Sequence, residues 1–121
     1  MAEQNLRRLQ ARPLCIICGK PAEAKYIAER LSADERLEGS NISGVNSRHT
    51  FYLGDLALEG GKKLEYYITS SLRQGMVHFS THASILFQLL RPRFAIHAGV
   101  CAGYGAAGVQ YDTITFLRGI Y

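Results

Sequence analysis

Leu14-Cys15-Ile16-Ile17-Cys18-Gly19-Lys20-Pro21-Ala22-Glu23-Ala24-Lys25-Tyr26-Ile27-Ala28-Glu29-Arg30-Leu31 joins two hydrophobic patterns through one glycine. The first five residues are a short, unbroken apolar run, the pattern of a strand covered on both faces. Pro21 then opens a stretch rich in Ala, Glu, Lys and Leu, residues that propagate helix, and proline is tolerated in a first helical turn. Tyr26, Ile27 and Leu31 mark its expected apolar face. The reading is strand, tight turn, helix, the opening unit of an α/β sheet.

Outward from this unit the same logic sets the other elements. Residues 1–12 carry Leu6 and Leu9 among Arg and Gln, suiting a short helix or a disordered lead-in, with Pro13 as its stop. Residues 32–50, rich in Ser, Asn, Gly and charge, read as loop or frayed helix end. Two antiparallel strands are expected at 49–53, leading to Gly54-Asp55, and at 63–69, with Gly60-Gly61 turning the chain between them. Val77, Phe79, Ala83, Leu86, Phe87 and Leu90 form a helical stripe closed by Pro92. Phe94-Ala95-Ile96-His97-Ala98 is a further apolar strand, running into the small-residue loop 99–105, and residues 113–116 suggest a last strand.

Composition narrows the function classes. The chain has 121 residues, 47% hydrophobic and 20% charged, enough for one core and too short for two ordinary domains. Its net charge of +4 is spread without a block of like charges, so no nucleic-acid groove is indicated. No apolar run reaches the ~18 residues of a membrane span, and the first twelve residues lack a signal-peptide core. Three cysteines without an export signal favour a reducing, cytoplasmic setting. Cys15-x-x-Cys18 has redox or zinc spacing, but in a strand i and i+3 face opposite ways, so inert buried thiols are expected. His78 and His82 are spaced i, i+4 but lack the adjacent Glu of a zinc helix. The glycines at 99, 103 and 105 do not have dinucleotide-fingerprint spacing, and there is no P-loop. No metal or organic cofactor is implied.

In an open α/β sheet, ligands bind at the carboxyl ends of strands, which singles out residues 19–23 and 99–105. The sequence around both loops resembles the nucleoside phosphorylase/nucleosidase superfamily. Residues 18–29 resemble the first strand-turn-helix of hexameric purine nucleoside phosphorylases, and Phe51-Tyr52-Leu53-Gly54 is similar to the strand that begins their second hairpin. Residues 70–92 look like their glycine-entered, proline-closed helix, and residues 96–103 resemble the strand-loop that contacts ribose and base. Gly108-Val109-Gln110-Tyr111-Asp112 looks like the stretch that follows, with Tyr111 in place of a glycine.

The resemblance spans about residues 13–116 and implies a partial three-layer domain over 13–121, a mixed sheet flanked by helices, with residues 1–12 as lead-in. It implies a purine-type nucleoside as the small-molecule substrate, contacted by Gly99, Val100, Cys101, Ala102 and Gly103, no membrane or nucleic-acid partner, and a homo-oligomer in the full-length form. Phosphate-using members place arginines where this chain has Glu23 and His97, and Ser or Thr where it has Val100. A dianionic phosphate needs donors and positive charge, so these departures disfavour phosphorolysis. The adenosylhomocysteine/methylthioadenosine nucleosidases carry a Glu matching Glu23, which implies hydrolysis with Glu23 as the water-activating catalytic carboxylate. The same carboxylate is also what a helix N-terminus favours through its macrodipole, with no function required. A phosphate-dependent phosphorylase and a non-catalytic nucleoside-binding or regulatory module are the alternatives. The resemblance also implies a second half, with the Asp that protonates the base and a Met-Glu segment for the ribose hydroxyls, so a truncated form is expected.

Overall fold

A computed structural model describes residues 1–73 and 75–98. They form a five-stranded mixed sheet with three helices: α1 (Ala2–Gln10), β1 (Leu14–Cys18), α2 (Pro21–Arg30), β2 (Glu35–Glu38), β3 (Thr50–Ala57), β4 (Lys63–Ser70), α3 (Met76–Leu90) and β5 (Phe94–Ala98). The strand order is β2-β3-β4-β1-β5. β1 runs parallel to both of its neighbours, with Cys18 opposite Ser70 on one side and Ala98 on the other. β3 runs against β2 and β4. This is an α/β architecture. The expected strand at 113–116 lies outside the described residues.

All five residues of β1 are buried, as an apolar run between two parallel neighbours requires. Its side chains alternate between two cores. Cys15 and Ile17 pack with Leu9, Phe51, Leu53, Tyr67, Ala83, Leu86 and Leu90 on the α1/α3 face. Leu14, Ile16 and Cys18 pack with Ala24, Ala28, Tyr66 and Ile68 on the α2 face. The two cysteines therefore do face opposite ways. Both thiols are pushed up to about 12, chiefly by burial, which keeps them protonated and inert as nucleophiles.

Helix phase differs from the expectation at both long helices. In α2 the core-facing stripe is Ala24, Ile27 and Ala28, continued by Leu31 just past its end, the i, i+3, i+4, i+7 set, while Tyr26 is 42% exposed. In α3 the core side is Phe79, Ala83, Leu86, Phe87 and Leu90, and Val77 is 77% exposed. Two residues subtend about 200° on a helix, so Val77 cannot share a face with Phe79.

Two further corrections concern the sheet. The segment expected as loop at 32–50 holds β2 and a 3-10 turn at Gly39–Asn41. β3 does not end at Gly54-Asp55 but continues to Ala57. Gly54 stays in the strand because the ring of Tyr66, its cross-strand partner, lies over it: a Cβ there would stand 2.4 Å from the Tyr66 hydroxyl oxygen. The first residues are an ordered helix. Leu9 is fully buried, Arg8 pairs with Glu35, and Arg12 donates to the carbonyls of Gly54 and Tyr66 at 2.8 and 3.1 Å. No helix among the described residues is long and apolar enough to cross a membrane.

Candidate functional site

The connections leaving two adjacent parallel strands open the site. From the carboxyl end of β1 the chain enters α2 on one face of the sheet; from the carboxyl end of β4 it enters α3 on the other. Where neighbouring strands send their chains to opposite faces, the loops part and leave a crevice, the general location of ligand sites in open α/β sheets. A hydrogen bond from the Ser71 amide to the Cys18 carbonyl (2.9 Å) closes its floor.

Two shallow cavities occupy this edge and share Pro21 and Arg48. The first, about 230 Å³, is lined by Pro21, Lys25, Arg36, Arg48, Tyr52 and Ser70 among others. The second, about 510 Å³, is lined by Pro21, Asn46, Arg48, Arg73, His78 and His82, with Leu72. No Asp or Glu lines either cavity among the described residues. Glu38 answers Arg36 at 2.8 Å and accepts a hydrogen bond from Thr50.

Local structure holds these side chains in place. Gly39 brings its turn against the 46–49 loop: its amide donates to the His49 carbonyl (2.7 Å), and a Cβ would stand 2.1 Å from the Asn46 carbonyl oxygen. Arg48 is pinned by its own amide donating to the Asn46 side chain at 2.9 Å. On α3, the Leu72 amide donates to His82 Nδ1 (3.2 Å), which leaves the ring proton on Nε2. The Ser71 hydroxyl lies 2.9 Å from the same Nδ1 and 2.7 Å from the Arg73 carbonyl. Ser71 is fully buried, so the pair fixes the 71–73 turn and does not present a nucleophile. His49 stacks edge-on against His82 at 5.8 Å, and its Nδ1 is buried with no hydrogen-bond partner. No group of three metal-ligating side chains is assembled among the described residues.

Glu23 lies in the first turn of α2, partly buried at the carboxyl end of β1. One carboxylate oxygen would sit 3.5 Å from a Cβ on Gly19, and its charge helps to raise the Cys18 thiol. It stands over the end of β1 and lines neither cavity. His97, on β5, stacks on Phe79 of α3 at 4.2 Å. Gly99, Val100, Cys101, Ala102 and Gly103 lie outside the described residues.

The expected loop 19–23 thus contributes Pro21 and Ala22 to the cavities at the carboxyl edge, while Glu23 lines neither. Lys25, Arg48 and Arg73 were missed because each is a lone cation in its own stretch of sequence. Only the i, i+4 spacing of His78 and His82 hinted at a shared position. Comparison of the chain with protein-family models, with curated proteins and with solved structures returns no match.

Proposed function

We propose that this edge binds a purine-type nucleoside and that the chain serves hydrolytic cleavage of the bond between base and ribose, in a nucleoside-phosphorylase-like fold. One observation carries the reading. β1 and β5 are adjacent and parallel, with Cys18 opposite Ala98, so the strand end that leads to Glu23 and the end of β5 lie at the same edge of the sheet. Cleavage breaks the C–N bond, the base departing with its electron pair and gaining a proton. Water adds to the cationic ribosyl carbon and gives up a proton. A carboxylate at the end of β1 stabilises that cation and takes the water's proton.

Glu23→Gln tests the assignment. Turnover should fall about 10²–10⁴-fold with substrate affinity little changed, because only transition-state stabilisation is lost. The full-length form should release free ribose at a rate independent of added phosphate. A phosphate requirement with release of a sugar phosphate would replace hydrolysis by phosphorolysis, the second reading, which the cationic lining of the cavities favours. Nucleoside binding without turnover would identify a binding module.

A further inference from the structure

We propose that the crevice between β1 and β4 binds a phosphate group carried by the ligand, so that the ligand class is a phosphorylated nucleoside, a nucleoside monophosphate. The inference rests on the nucleoside reading and extends it to the group that the cations face.

Side chains from three separate segments converge on the larger cavity: Arg48 from the loop before β3, Arg73 from the turn after β4, and His78 and His82 from α3. Lys25 adds a further cation across Pro21 and Arg48, which line both cavities. Among the described residues, no ion pair engages Lys25, Arg48 or Arg73. One helix adds to the field: His78 lies in the first turn of α3, whose N-cap, Gly75, has no side chain and whose first turn holds no acidic residue, so its positive macrodipole end favours an anion there. Arginine forks suit phosphate oxygens, and His82, whose Nδ1 accepts from the Leu72 amide, keeps its Nε2–H as a donor.

The position of Glu23 decides between a carried and a free phosphate. A phosphate ion acting as nucleophile must lie against the sugar carbon, beside the Glu23 carboxylate over β1, where like charges repel. A phosphate on the far side of the ribose instead reaches toward β4, where the cations are and where no carboxylate lines the walls.

Isothermal titration of the full chain at low ionic strength tests this, with adenosine, inosine and guanosine, their 5′-monophosphates, inorganic phosphate and phenyl phosphate as probes. At least one monophosphate should bind about tenfold or more tightly than its nucleoside, and that gain should weaken with added salt. Arg48→Ala, Arg73→Ala and the double variant should erase the gain of monophosphate over nucleoside. Arg7→Ala, which removes one exposed cation outside the cavities, should preserve it. If every nucleoside binds as well as its monophosphate, or the gain survives in the double variant, the inference is overturned while the nucleoside reading stands. Inorganic phosphate bound through Arg48 and Arg73, with no gain for any monophosphate, would likewise overturn it in favour of the free ion. If phenyl phosphate matches the monophosphates and no nucleoside binds, the phosphate site stands and the nucleoside reading falls. No binding by any probe would overturn both.

Discussion

His49 is only 4% exposed, held between Phe51 and His82. Burial lowers its pKa first and the neighbouring His82 adds to that, against a hydrogen bond with the Ser70 backbone. The folded ring therefore stays neutral at a pH where the unfolded one takes up a proton, at about 6.5. Its contribution to stability is complete above that value and is lost as pH falls toward the lowered folded pKa. Denaturant midpoints measured between pH 7.5 and 5.5 should drop with acid, and His49→Gln should flatten that slope. An unchanged slope would assign the acid sensitivity elsewhere. At Gly54, alanine should cost about 1–3 kcal/mol by overpacking, because Tyr66 is fully buried and cannot swing aside. Equal chemical-denaturation stabilities of Gly54→Ala and wild type would contradict that close approach.

At the scale of elements, α3 shows what periodicity can and cannot supply. Its extent was legible, since a glycine at Gly75 and proline at Pro92 bracket a continuous apolar pattern, and the helix runs Met76–Leu90. Its phase was less so. Val77 is apolar but points away from the sheet, and residue type alone does not say which of several apolar positions faces the core. Leu86→Ala should lower stability by about 2–5 kcal/mol and Val77→Ser by no more than about 0.5, both read from urea unfolding. Comparable losses would place Val77 in the core. β2 was illegible for a related reason. Glu-Arg-Leu-Glu has no strand pattern of its own, and pairing with β3 supplies the ladder that its propensity does not.

Across the whole molecule, β1 lies between two parallel neighbours, β4 and β5, and its two thiols sit in different cores. Exposing both requires the α1/α3 layer and the α2 layer to open together. Iodoacetamide labelling mapped to Cys15 and Cys18 should therefore proceed at one common rate that follows global stability. Faster labelling of one cysteine would show that its layer opens independently. With both thiols raised to about 12, ionisation favours the unfolded chain once pH passes about 8.5, so stability should decline from there upward.

The sequence by itself determined the buried strand at 14–18, the helix after Pro21, the alternation of the cysteines and the α/β class, because each follows from local period and chain-stiffening residues. The loop 19–23 was visible for the same reason, at a strand end, while Glu23 within it was singled out only by the family resemblance. Only the tertiary structure decided that β4 lies on the other side of β1 from β5, that α2 and α3 cover opposite faces, and that Arg48, Arg73, His78 and His82 meet at the resulting crevice. Those four residues belong to three segments, each of whose local patterns is satisfied without reference to the others. Their convergence arises from strand order, which is set by long-range burial and pairing and leaves no mark at the spacing of neighbouring residues.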